Sequence, residues 1–198
     1  ERISIDDFDV LIMPDGNYNM LNDKNNAERL QGFVSKGGRI IALENAAVKI
    51  ASLEWGFKLK QSDDSSKDAA DYALLKKYAE REHDALKGFN PGSIYRVELD
   101  NTHPLAYGYP NYYYTLKQDG NLYEFLKTGW NVGVVKKASY AAGFTGSTLK
   151  SEIKDGLLFG VQEYNDGNVV ILTDDVLFRL FWQNGKQLFC NAVFLVGQ

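Results

Sequence analysis

The sequence has a single cysteine, Cys190, and two histidines, His83 and His103. One cysteine excludes a disulfide within the chain. Catalytic zinc sites commonly take two ligands from one helical turn, as in His-x-x-Glu, together with a distant histidine. His83 is followed by Asp-Ala-Leu and His103 by Pro-Leu-Ala, so neither histidine begins such a motif. We therefore expect no metal site, with His83 solvated on a polar helix and His103 held in a structural hydrogen bond.

The chain also lacks an excess of basic residues, long apolar runs and a glycine-rich phosphate loop. Its 22 basic and 26 acidic residues give a net charge of −4, which disfavours nucleic acids and anionic membranes as partners. No stretch approaches the roughly 18 apolar residues that would cross a bilayer. The run 143–147 matches neither a Walker loop nor a dinucleotide fingerprint. The first residue is Glu1, which is typical of a fragment or a mature form, and composition leaves the compartment open.

Apolar residues make up 44% of the 198 positions, which is enough for the core of one α/β domain covering residues 1–198. Short apolar runs at 9–13 and 39–43 indicate buried strands, and 25–36 and 45–53 have helical spacing. This alternation predicts parallel strands joined by right-handed crossovers. Residues 61–67 are predicted to form a loop, and 68–87 a surface helix.

The middle of the chain changes to a two-residue period, which predicts additional strands before a final helix over 187–196. Strands are predicted at 93–99, 112–116, 132–136, 157–163 and 168–173. Asp166-Gly167 is typical of a hairpin turn before the last of these strands.

The segment 37–47 carries the pattern of a sharp turn from a strand into a helix. Small residues are needed two positions before and two after the apex of such a turn, and Ala42 and Ala46 occupy those positions around Glu44. In hydrolases and amidotransferase-like folds this apex holds a serine or cysteine nucleophile. Because a carboxylate attacks amides poorly, we interpret Glu44 as an acid at a helix start, where the helix dipole stabilises it, and predict no catalytic residue.

Acidic residues follow several of the predicted parallel strands, whose carboxyl ends form the usual ligand crevice of open α/β sheets. The residues predicted to line this crevice are Asp15, Gly16, Glu44, Asn45, His103, Asp174 and Asp175. Two alternatives remain open. The crevice could bind a peptide or a glycan, or the chain could be a degenerate hydrolase that uses Cys190 or Glu44 with His103 as base. We expect Cys190 to be an inert, buried thiol.

Aromatic residues are concentrated between 107 and 130. Such segments can stack on sugars or peptides, but we expect these residues to serve the core or an interface between domains. They are Tyr107, Tyr109, Tyr112, Tyr113, Tyr114, Tyr123, Phe125 and Trp130.

Longer motifs in the second half resemble the C-terminal region of large bacterial family M14 zinc carboxypeptidases. They are the runs 91–108, 129–133 and 142–146, and Asp174-Asp175 with 177–182. The resemblance extends from about residue 9 to residue 194. It implies a flavodoxin-like, class I glutamine-amidotransferase-like domain that follows a peptidase domain and has Glu44 where the amidotransferase cysteine would lie.

This resemblance implies an accessory domain without catalytic activity, whose partner is the peptidase domain of the same polypeptide. It also implies export to the periplasm or the extracellular space. Zinc is expected only in that peptidase domain, and no cofactor is expected in this one. The fold expected is an α/β parallel-sheet sandwich with additional strands in its middle region.

Overall fold

A computed structural model describes residues 4–61, 75 and 77–197. In these residues eight strands form a single mixed sheet, with helices on both of its faces. The strands are β1 (Val10–Met13), β2 (Arg39–Leu43), β3 (Gly92–Leu99), β4 (Tyr112–Lys117), β5 (Gly129–Val135), β6 (Tyr140–Phe144), β7 (Gly156–Tyr164) and β8 (Gly167–Leu172). The α-helices are α1 (Lys24–Ser35), α2 (Asn45–Ala51), α3 (Arg81–Lys87), α4 (Ser147–Glu152) and α5 (Gln183–Phe194). Short 3₁₀ turns span Ile5–Asp7, Asn19–Asn22, Tyr78–Glu80, Pro104–Ala106 and Phe178–Leu180.

The strand order is β1-β2-β8-β7-β5-β3-β4, and β6 pairs with β3. Within the described ranges, parallel pairing is confined to β1, β2 and β8, with Ile12 beside Ile41 and Ile41 beside Val170. β7, β5, β3 and β4 continue the sheet in antiparallel order. The predicted α/β class is therefore confirmed, and the additional strands of the middle region extend the same sheet.

Alternate residues of the central strands serve two cores, one on each face of the sheet. Ile40 and Ala42 of β2 lie in the core that includes helices α1 and α2, whereas Ile41 and Leu43 face the core that includes α5. All four side chains are buried, because β2 is covered on both faces.

Helix α1 has clear start and stop signals. The carboxylate of Asp23 accepts hydrogen bonds from the backbone N–H groups of Asn25 and Asn26, at 2.9 and 3.2 Å. Gly37, with a φ of 103°, lies just beyond the helix, where a positive φ is readily adopted only by glycine. The next residues then enter β2 directly.

The sheet curls strongly toward its antiparallel edge. In strand order β4 is four strands away from β8, yet Thr115 and Lys117 of β4 contact Asp174, two residues after β8. Tyr113 of β4 also accepts a hydrogen bond from the indole of Trp182, at 3.0 Å. The curl therefore brings the last antiparallel strand back to the end of the parallel strands.

Most predicted elements are present with small shifts in their bounds, including the β7–β8 hairpin, in which Tyr164 pairs with Gly167. Strand β6 and helix α4 were not predicted. A surface helix was expected over 68–87, and its described part is helical from Arg81, after a 3₁₀ turn. Residues 68–74 and 76 of that prediction lie outside the described residues, as does the predicted loop after residue 61. No helix in the described ranges is long and apolar enough to cross a membrane.

Candidate functional site

The turn between β2 and α2 places Glu44 in a strained backbone conformation, with φ 47° and ψ −118°. Ala42 and Ala46, on either side, are fully buried, so larger side chains at these positions would displace their neighbours. The N–H group of Glu44 donates to the carbonyl of Leu172 at 2.9 Å, which ties the turn to the end of β8. The predicted sharp turn is therefore present, with Glu44 at its apex.

Other carboxylates surround Glu44 at this end of the sheet. Asp15 follows β1 and accepts hydrogen bonds through one oxygen from the backbone N–H (3.3 Å) and the side-chain amide (2.9 Å) of Asn45. Burial, and then the charges of Asp15, Asp175, Asp174 and Asp119, raise the pKa of Glu44 from 4.5 to about 7. The carboxyl of Glu44 is therefore protonated in a large fraction of molecules near neutral pH.

A buried ion pair lies beside this group and was not anticipated from the sequence. Lys117, whose side chain is fully buried, donates to Asp174 at 2.7 Å, to the Asn121 carbonyl at 2.9 Å and to Asp119 at 3.0 Å. The hydroxyl of Thr115 donates to the other oxygen of Asp174 at 2.5 Å. These bonds satisfy the two buried charges, which would otherwise be costly to desolvate.

The two partners influence each other's protonation in opposite directions. Burial raises the pKa of Asp174, and the charge of Lys117 acts against this rise. Burial also acts to lower the pKa of Lys117, but the carboxylates of Asp174 and Asp119 outweigh it and leave this pKa raised. Because three oxygens surround the ammonium group at hydrogen-bonding distance, we assign the pair as charged.

Six of the seven predicted crevice residues follow the carboxyl ends of β1, β2 and β8: Asp15, Gly16, Glu44, Asn45, Asp174 and Asp175. They do not play equal parts. Asp174 is committed to Lys117 and Thr115, and Asp175 accepts a hydrogen bond from the N–H of Leu177 at 2.9 Å. Asp15, Glu44 and Asp175 are at least partly exposed at this crevice, whereas Asp174 is buried.

The placement of His103 in the crevice is corrected by the structure. His103 follows β3 and lies beside Trp130, with ring centroids 5.9 Å apart, and Trp130 is bonded to Glu163. Glu163 pairs with Asn168, the second residue of β8, which is four residues before the carboxyl end of that strand. At about 3.3 Å per residue, the position of Asn168, next to the cluster of His103, Trp130 and Glu163, lies about 13 Å along β8 from the carboxyl end of that strand, where the crevice is. The structural hydrogen bond expected of His103 is present, since its Nδ1 accepts from the N–H of Leu105 at 3.1 Å.

The predictions for the two other candidate residues have mixed outcomes. Cys190 lies on α5 and is exposed, so the expectation of a buried thiol was wrong. It points outward because Leu188 and Ala192 occupy the buried face of this helix. His83 is exposed on α3, as expected. In the described part of the chain, no group of three or more potential ligands could hold a metal ion.

No protein-family model matches the sequence, and no curated protein matches it. Solved structures do share its fold. A glutamine amidotransferase from Thermotoga maritima superposes with a TM-score of 0.54 at 9% identity, covering 98% of this chain and 80% of the other. The chain has a glutamine-amidotransferase-like fold.

Two further solved structures also superpose on this chain. A ThuA-like protein from Parabacteroides merdae has a TM-score of 0.50 at 8% identity, over 86% of this chain and 61% of its own. A β-galactosidase from Bacillus circulans has a TM-score of 0.52 at 12% identity and is covered over only 23% of its length, while 96% of this chain is matched. At these identities the likeness shows the fold alone.

Proposed function

We propose that this chain is an accessory domain without catalytic activity, belonging to a larger exported protein that resembles a family M14 zinc carboxypeptidase. In this proposal the domain packs against the peptidase domain of the same polypeptide and assists it. The observation that carries the proposal is that Glu44 occupies the strained turn after β2. Glu44 stands where a related fold would expose its nucleophile.

The chemistry around Glu44 supports the non-catalytic part. A carboxylate is a weak nucleophile toward amides, and a hydroxyl or thiol nucleophile is commonly activated by an adjacent base. His103 lies at the opposite end of the sheet, and His83 is exposed on α3. The nearest titratable partners of Glu44 are carboxylates, which raise its pKa rather than activate it.

The accessory part is supported by aromatic side chains on one outer face of the sheet. Tyr112 and Tyr114 of β4 are each 39% exposed, and Phe144 of β6 is 46% exposed. Their partners in the register lie on β3, where the guanidinium of Arg96 stacks 5.1 Å from the ring of Tyr112. Exposed aromatic and arginine side chains of this kind are enriched where proteins bury surface against a partner. We assign this face, formed by Arg96, Tyr112, Tyr114 and Phe144, to the peptidase domain.

The identity of the parent protein rests on the resemblance of the motifs in residues 91–108, 129–133, 142–146 and 174–182. Zinc belongs, in this proposal, to the peptidase domain and not to this chain. A parent sequence that contains a His-x-x-Glu motif and a distant histidine would support it. A parent sequence with no such motif would contradict it.

The packing face can be tested in the parent protein. We expect Tyr112→Ala/Tyr114→Ala to lower the melting temperature of the peptidase domain in the parent, and to lower it by more than the melting temperature of the isolated chain. Tyr78→Ala removes a tyrosine that is 79% exposed on another part of the surface, and serves as the matched control. If the peptidase domain has the same melting temperature in the double variant, the control and the wild-type parent, these tyrosines do not pack against it.

A degenerate hydrolase is the second candidate, because a pKa of about 7 is suited to a general base or acid. The two candidates differ in a direct assay. We expect the purified chain to show no Glu44-dependent hydrolysis of peptides or of glutamine. Turnover that disappears in Glu44→Gln, with the fold retained, would establish the hydrolase and remove the proposal above.

A further inference from the structure

A second cleft lies at the opposite end of the sheet from Glu44 and is independent of the function proposed above. Its floor is made by neighbouring strands, with Trp130 of β5 paired to Val161 of β7, and Glu163 two residues further along β7 on the same face. The loop that contains Asp100 and His103 forms one wall. The cleft has a volume of about 420 Å³, within the range of small-molecule sites.

Trp130 presents an oriented aromatic surface in this cleft. Trp130 is 52% exposed, although it contacts both Glu163 and His103. The indole N–H donates to the Glu163 carboxylate at 2.8 Å, and the ring lies 5.9 Å from that of His103 at an angle of 45°. These contacts fix the ring without covering it, so little rotamer freedom would be lost on binding.

The polar groups of the cleft offer both a donor and acceptors. Because Nδ1 of His103 accepts from a backbone N–H, Nε2 carries the proton of the neutral ring and can donate. Burial lowers the pKa of His103, which keeps this ring neutral near pH 7. One oxygen of Asp100 is taken by the N–H and hydroxyl of Thr102, and one oxygen of Glu163 by Trp130, so each carboxylate keeps a second oxygen as an acceptor.

From these groups we infer that the cleft binds a pyranose sugar, neutral or carrying an amino group, stacked on Trp130. The C–H face of a pyranose is apolar and fits an indole surface, and its hydroxyl groups both donate and accept, as the residues around Trp130 require. Among the described residues, the lining contains the carboxylates of Asp100 and Glu163 and no lysine or arginine, while the buried guanidinium of Arg39 lies behind Gly197. Because the two carboxylates outnumber this guanidinium, a uronic acid is disfavoured by charge.

The test uses the full chain and a panel of methyl glucoside, methyl galactoside, methyl mannoside, glucosamine, N-acetylglucosamine and glucuronic acid. Binding is followed by isothermal calorimetry and by tryptophan fluorescence. We expect at least one neutral or amino sugar to bind with a Kd in the millimolar range, and glucuronic acid to bind at least about tenfold more weakly. Trp130→Ala should weaken the affinity for this sugar at least about tenfold. Phe181→Ala removes an aromatic side chain that is 58% exposed and lies outside the cleft, and it should leave the affinity unchanged.

Glu163→Gln distinguishes a sugar from a basic peptide side chain, the other ligand that two carboxylates and an indole could attract. Glutamine keeps an acceptor for the indole N–H and removes the charge. A neutral sugar should lose less than about threefold in affinity, whereas an arginine amide would lose at least about tenfold. Binding of the arginine amide alone, or no binding of any sugar up to about 50 mM, would overturn the inference. Unchanged sugar binding in a folded Trp130→Ala would overturn it as well.

Discussion

The carboxyl group of Glu44 should make the stability of this protein depend on pH in a way that one substitution can isolate. Glu44→Gln keeps the size of the side chain and its strained backbone, and removes only the ability to ionise. The pKa of Glu44 is raised in the folded protein to about 7, because burial and the neighbouring carboxylates disfavour the charge. The unfolded chain has no such surroundings, and its glutamate titrates near 4.5.

The sign follows from proton binding. Between about pH 4.5 and 7 the folded protein binds more protons than the unfolded chain, so the stability contributed by Glu44 is complete below about pH 4.5 and is lost as the pH rises through about 7. A rise in pKa from 4.5 to about 7 corresponds to at most about 3.4 kcal/mol, at about 1.36 kcal/mol per pKa unit. Because Glu44 is only half-buried and water screens its neighbours, we expect about 1.5–2.5 kcal/mol.

The assay compares the melting temperatures of the wild type and Glu44→Gln at pH values from about 4 to 9. For a domain of this size about 2–4 °C corresponds to 1 kcal/mol, so the variant should melt about 3–10 °C higher at pH 8 and within about 1 °C of the wild type at pH 4. Glu124→Gln, at an exposed glutamate, is the control and should show no such trend. A difference between the wild type and Glu44→Gln that stays constant across this pH range would refute the reasoning.

Other measurements test the buried ion pair, two helical glycines and the single cysteine. Lys117→Met leaves the buried carboxylate of Asp174 unpaired and should cost about 3–5 kcal/mol in urea unfolding, of which Lys117→Met/Asp174→Asn should recover at least about 1 kcal/mol. A smaller stability in the double variant than in the single one would show that Asp174 is not the group left unpaired. Gly185→Ala would place a methyl group 1.7 Å from a backbone oxygen and should cost about 1–3 kcal/mol, whereas Gly32→Ala in α1 meets nothing within 4 Å and should stabilise by about 0.5–1 kcal/mol. Cys190 should react with a thiol reagent in the folded protein as fast as in urea, and strong protection would contradict its exposure.

The local elements were predictable because their signals lie within a few residues of one another. The apolar run at 39–43, the small residues Ala42 and Ala46 and the helical spacing after Glu44 identified the sharp turn correctly. Strand β6 escaped prediction because its side chains are largely exposed and show no buried alternation. A half-exposed strand with glycine and alanine gives little periodic signal.

The neighbours of the crevice were not predictable, since they come from the curl of the sheet. Nothing in the sequence near Asp174 indicates that β4 returns to it. One signal was available: Lys117 falls in phase with Tyr113 and Thr115 on the buried face of β4, and a lysine in that phase requires a buried partner. His103 was misplaced for a related reason. It follows an antiparallel strand, whose direction in the sheet is set by pairing rather than by local sequence.

The pairing of β2 with β8 has a consequence for how the chain acquires its structure. Residues 39–43 pair with β1 but meet their second neighbour only at 168–172, so the N-terminal strands keep an incomplete sheet edge until residues 168–172 have been synthesised. During translation, the incomplete sheet of β1 and β2 exposes the apolar side chains of β2 to chaperones and proteases. A fragment ending at residue 160 should therefore be digested by a protease at the rate of an unfolded chain, while the full chain resists. Protection of that fragment would mean that β1, β2 and their helices fold before β8 arrives.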